Sequence, residues 1–167
     1  MMKLKLLITL GVIFALFALV TAGTNNWTPE ALADEIKGGL PDAPAYSRQF
    51  SGYITIRNNT HLFYYLSLVP DETKAINAPV VFWTSGGPGC SGLIGAFSEM
   101  GAYQPVPDGK GGVKLALRAQ TPNDEVNMLY IEQPDVGYTY IDEGYAPNEW
   151  RDADVAERNA EFIFEWF

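Results

Sequence analysis

Cysteine and histidine are all but missing from this chain: among 167 residues there is one of each. One cysteine cannot close an internal disulfide, and it excludes a cysteine-rich zinc site. One histidine leaves little for imidazole-based metal binding or acid–base chemistry. Basic residues are scarce too, with 11 Lys and Arg against 20 Asp and Glu, for a formal net charge of -9. That balance cannot replace counterions along a phosphate backbone, so nucleic acid is excluded as a partner. No apolar run beyond the first twenty-odd residues reaches the roughly 20 that a spanning helix needs. What is plentiful is apolar mass. At 47% hydrophobic and 13% aromatic, the chain has enough to build a core and is not globally disordered. Its length fits one ordinary domain or a piece of a larger one.

The first segment reads as an address. Lys3 and Lys5 form a basic start, Leu6 to Val20 an apolar stretch, and Val20-Thr21-Ala22 a small-residue cleavage pattern. The apolar stretch is shorter than a membrane span. Residues 1–22 are therefore expected to be a cleaved signal peptide, and 23–167 the mature domain, free of the membrane and lumenal or extracellular. Two glycosylation sequons, at Asn26 and Asn58, fit that compartment. Cys90 is then odd, because an unpaired cysteine in a secreted chain points to a partner elsewhere.

Along the mature chain, Phe50 to Arg57 and His61 to Leu68 read as two strands joined at Asn58-Asn59, residues that accept the positive φ of a tight turn. Phe50, Ile54 and Ile56 fall on one face. Pro79 to Trp83 is a continuous apolar run, the pattern of a strand buried on both faces. A glycine loop follows, and then Leu93 to Met100 with helical spacing. Gly109-Lys110-Gly111-Gly112 suits a hairpin tip. Val126 to Ile131 is a second buried-looking strand, ending at Glu132-Gln133-Pro134-Asp135. Asp152 to Phe167 predicts an amphipathic helix with Val155, Phe162, Ile163, Trp166 and Phe167 on one stripe, and acids at its positive end. Strands first and strand–loop–helix units after predict an α/β architecture with an antiparallel leading edge. The helix reaches the last residue with no stop signal, so the chain is expected to continue as part of a longer protein.

The chemistry concentrates in Trp83-Thr84-Ser85-Gly86-Gly87-Pro88-Gly89-Cys90-Ser91-Gly92. A phosphate loop would need a lysine, and none is there. A nucleophile elbow needs G-x-S-x-G, and Gly89-Cys90-Ser91-Gly92-Leu93 misses its last glycine. An oxyanion loop, whose backbone N–H groups face developing negative charge, fits the place after an early strand. These residues resemble the W-x-N-G-G-P-G-C-S-S signature of the serine carboxypeptidases, a family of α/β hydrolases. Tyr46 to Tyr53, His61 to Leu66, and Leu129 to Tyr140 support the resemblance. The last is similar to the family's L-D-Q-P-x-G-x-G-F-S-Y run.

The resemblance implies an α/β-hydrolase fold, of which this would be the N-terminal part, and a hydrolase that removes residues from peptide C-termini through an acyl-enzyme. It implies that Gly87 supplies an oxyanion-hole N–H and that Gly86 lies beside the substrate carboxylate. Ser85 stands where the family has a carboxylate-holding asparagine, and Glu99 matches the family's carboxylate-recognising glutamate. Cys90 matches a cysteine paired with a site much further along. A glutamate binds a carboxylate only when one of the two carries a proton, so such a site works best in acid, as in a vacuolar or secreted enzyme. No cofactor or metal is expected. Two departures stand out. Ser85 is shorter than asparagine and lacks its amide, where a hydrogen bond to a charged group is worth roughly 1.5–3 kcal/mol. The run from Gln133 to Tyr138 is one residue shorter than the family's spacing. The triad serine, aspartate and histidine fall outside these residues, and His61 begins a hairpin strand far from the loop. The chain alone is therefore expected to be inactive, completed by the remainder of the same protein. An acyltransferase on the same scaffold, or a secreted binding protein without catalysis, are the alternatives.

Overall fold

The computed structural model describes residues 27–86, 89–144 and 150–167. The expected signal peptide and Asn26 lie outside the described residues, as does Gly87. The chain divides into two units, Met1–Leu32 and Ala33–Phe167. Of the first, Thr28 is described opening a short helix, α1 (Pro29–Ala33): its carbonyl accepts from Leu32 N and its hydroxyl from Ala31 N. The rest concerns the second unit.

Its main sheet is built from β1 (Gln49–Ile56), β2 (Thr60–Ser67), β3 (Val80–Thr84) and β6 (Asn127–Ile131), in the order β1-β2-β6-β3. A two-residue strand, β7 (Tyr140–Ile141), pairs with the start of β2. β1 and β2 are the expected hairpin, in register from Gln49↔Ser67 to Ile56↔Thr60. Its turn depends on Asn58 and Asn59 at φ 55 and 45, a left-handed conformation that asparagine tolerates better than most residues. β6 runs antiparallel to β2 and parallel to β3, which gives the mixed sheet expected of an antiparallel leading edge. A second sheet pairs β4 (Tyr103–Pro107) with β5 (Val113–Leu117) around the predicted glycine tip.

Strand alternation sends side chains to two layers. On one face Tyr65, Met128 and Tyr130 pack with Ala96, joined by Trp83, Leu93 and Phe97. That layer is covered by a helical turn, α3 (Gly92–Ile94), which widens into a π-helical turn over Gly95–Glu99. The other face carries Tyr64 and Phe82, and Phe162 of helix α4 (Asp152–Trp166) sits against both rings, at 6.3 and 6.0 Å between centroids. Between β2 and β3 a short helix, α2 (Glu72–Ala75), is capped by Asp71, whose carboxylate accepts from Thr73 N.

Two expectations need correction. The Pro79–Trp83 run is not a strand buried on both faces. Among the described residues β3 stands at the edge of the sheet and Val81 is exposed; β6, with all five residues buried, takes the centre. Nor does the whole stripe of α4 bury. Phe162 is fully enclosed, but Ile163 and Phe167 are exposed. Phe162 fills the slot between Tyr64 and Phe82, and residues 163 and 167 sit about 100° and 140° around the helix from it, clear of that contact. Arg158 is buried instead, with its guanidinium 4.7 Å from the centroid of the Trp150 ring, an amphipathic side chain lying along an aromatic face.

Candidate active site

Parallel strands end on the same side of a sheet, and the crevice outside their carboxyl ends is the usual ligand site of an α/β protein. Here β3 and β6 are aligned with Thr84 opposite Ile131. The loops that leave them, 85–91 and 132–139, meet across that edge. Between them and the start of α4 lies a cavity of about 550 Å³, lined by Ser85, Gly86, Gly89, Gln133, Asp135, Trp150 and Asn159 among others. Two neighbours in the sequence expected to bind a carboxylate, Ser85 and Gly86, both line it. Glu99 does not line this cavity; it is exposed at the end of the π turn. Cys90 is exposed with a free thiol.

The second loop is held by residues that sequence reasoning passed over. Glu132 is 1% exposed. One carboxylate oxygen accepts from Ser91 Oγ at 2.6 Å, and the other accepts from Gly92 N at 3.3 Å. Ser91 Oγ also accepts from Leu93 N at 3.1 Å, and so caps α3. The sequence offers a weak signal for this: Glu132 is the first residue after a buried strand, where the family run quoted above has its aspartate. Asp135 is a second omission. It sits at φ 61 and accepts from Trp150 Nε1 at 2.7 Å, which ties the cavity rim to the segment entering α4. Gln133 Oε1 and Asn159 Oδ1, both from residues lining the cavity, are buried without a hydrogen-bond partner.

Beneath the site the phenols of Tyr65 and Tyr130 are pushed well above the ordinary tyrosine range, chiefly by burial, so they stay neutral. Tyr65 donates to Gln49 Oε1, Gln49 Nε2 donates to Tyr103, and Tyr103 donates to the Pro44 carbonyl. This chain ties the second sheet to the first. His61 belongs elsewhere. It pairs with Thr55 through Nδ1 at 2.8 Å, stacks on Tyr140 at 4.3 Å, and lies 3.5 Å from Asp142. Those contacts hold it on the hairpin, and it does not line the cavity.

A profile of the serine carboxypeptidases matches residues 41–167. The chain belongs to the serine carboxypeptidase family. A serine carboxypeptidase-like protein of Arabidopsis thaliana (number 46 of its series) is 42% identical over 133 residues, covering 77% of this chain and 27% of its own length. The lysosomal protective protein of Mus musculus is 36% identical over 160 residues, covering 95% of this chain and 32% of its own. The chain therefore spans about a third or less of these relatives. Among solved structures, a prohormone-processing carboxypeptidase of Saccharomyces cerevisiae superposes with a TM-score of 0.65 at 22% identity, over 84% of this chain and 33% of its own. The fold is accordingly that of a serine carboxypeptidase α/β hydrolase, in the region that carries the glycine loop.

Proposed function

We propose that this chain provides the oxyanion-hole and carboxylate-binding part of a serine carboxypeptidase of the secretory pathway. In this reading the complete protein removes single residues from peptide C-termini. The nucleophile, its base and the orienting aspartate come from outside these residues. The observation that carries the proposal is the cavity at the carboxyl ends of β3 and β6, bordered by Ser85 and Gly86. A peptide whose terminal carboxylate lies at Ser85 and Gly86 would present its scissile carbonyl, that of the penultimate residue, to the Gly87 N–H. As the serine oxygen adds, negative charge develops on that carbonyl oxygen, where a fixed backbone donor stabilises it more than the neutral ground state. The amine of the last residue leaves with a proton, and water then releases the acyl group. An acidic compartment suits this reading, since the mouse relative is lysosomal by name.

The test is hydrolysis of N-blocked dipeptides by the complete protein, with free and amidated C-termini compared between pH 4 and 8. The expected result is cleavage of the free acids alone, fastest in acid. Equal cleavage of the amides would remove the carboxylate-binding role, and cleavage of neither would remove the peptidase. Ser85 favours a second reading, acyl transfer to an acceptor other than water, because its shorter side chain weakens the grip on a terminal carboxylate. Ester formation from an activated acyl donor, without peptide cleavage, would establish that alternative.

A further inference from the structure

We propose that Glu132 is the positioning residue of this site: a buried bracket that fixes the C-terminal end of the glycine loop, Ser91 and Gly92, against β6, and that the loop's catalytic role depends on this anchor. The inference rests on the reading of that loop given above. Three observations carry it. The carboxyl group uses its two oxygens on two different groups, Ser91 Oγ at the end of the loop at 2.6 Å and Gly92 N at the start of α3 at 3.3 Å; the first is a short O–H···O bond. Its own backbone is pinned from the opposite side. Glu132 N donates to the Phe63 carbonyl at 3.0 Å, and Thr139 Oγ1 donates to the Glu132 carbonyl at 3.0 Å while accepting from Phe63 N at 2.9 Å. The space around it is ceded by glycine. A Cβ at Gly137, at φ 57, would fall within the Glu132 carboxylate, and a Cβ at Gly92 would meet the Ile131 carbonyl.

Among the described residues no cation forms an ion pair with Glu132, and a buried carboxylate without one is expensive unless hydrogen bonds hold it. Two bonds from one buried side chain to two neighbouring groups add stiffness and direction. Stiffness matters here because an oxyanion donor works only when it is already in place.

Amide hydrogen exchange in the full chain tests this directly, comparing Glu132→Ala, Glu132→Gln and Ser91→Ala with the parent. In Glu132→Ala, exchange at Gly92 should accelerate about 10- to 100-fold, with Leu129 and Tyr130 in β6 unchanged; Glu132→Gln should fall between. In the complete protein the Glu132→Ala change should lower kcat by roughly 10- to 100-fold with KM within about twofold, and Glu132→Asp should recover part of the loss. Acceleration throughout β6, no change at Gly92, or a raised KM with unchanged kcat would overturn the proposal. If the protein cleaves no peptide yet Gly92 exchange responds as stated, the bracket stands and the peptidase reading fails. If it cleaves peptides and Gly92 exchange is unmoved, the bracket alone fails.

Discussion

Asn127 shows how much a single side chain holds in this fold. Its carbonyl oxygen accepts from Val69 N at 2.9 Å, and its amide donates to the Ala75 carbonyl at 2.7 Å. It thereby closes the ends of β2 and α2 onto the start of β6. Asn123 does similar work with the carbonyls of Ser67, Leu68 and Val126. Replacing Asn127 by alanine orphans a buried donor and a buried acceptor, and should cost about 2–4 kcal/mol of stability, measured by urea unfolding. Neither asparagine was legible beforehand, because their partners lie up to 58 residues away. Asn58 and Asn59 were legible, since the demand for positive φ is local to the turn. The glycine loop was legible for the same reason, as a contiguous run. Glu132 was read only as the end of a strand, because its role depends on a loop some forty residues upstream. Ser85 allows a test at this scale. Ser85→Asn in the complete protein should lower KM for free-acid peptides about tenfold, and an unchanged KM would separate Ser85 from carboxylate binding.

Elements follow from short-range pattern, but their place in the sheet does not. Two apolar runs predict two buried strands; both form as strands, but only β6 is buried throughout, because which one is central depends on pairing. β6 lies between β2 and β3, and β3 is left half-buried. The helix stripe has the expected period, yet of its residues Phe162 alone is fully enclosed. Two element-scale predictions follow from close contacts. A Cβ at Gly95 would strike the Trp83 indole, so Gly95→Ala should destabilise by about 1–3 kcal/mol, visible as a lower midpoint in urea. In the β4–β5 hairpin, Asp108 accepts from Lys110 N at 2.6 Å and Gly112 N at 2.9 Å, and those backbone donors hold its carboxyl below the usual range. With a depressed folded value, the contribution to stability is present above the ordinary aspartate pKa of about 3.9 and is lost as pH falls through the folded value. The Lys110 and Gly112 amide shifts should therefore titrate with a midpoint below about 3.9. A midpoint at or above it would mean that the turn does not favour the ionised form.

Taken whole, the molecule buries one layer well and leaves another partly uncovered. Phe164 and Phe167 are 81% and 83% exposed, and Val81 shows on the edge strand. An exposed strand edge next to apolar side chains promotes association. The chain in isolation should self-associate with rising concentration in sedimentation, and a Phe164→Ser and Phe167→Ser double change should weaken it. Acidic charge of -9 opposes that association, so added salt should strengthen it. The strand order has a consequence for biosynthesis. The central strand is made last of the four: about sixty residues separate the end of β2 from the start of β6. At ~5–20 residues per second, the β1–β2 hairpin and β3 wait several seconds on the ribosome for the strand that joins them. During that wait both present open backbone edges to whatever is nearby. A pause or chaperone contact before Asn127 emerges would fall on the one interval when this sheet cannot yet close.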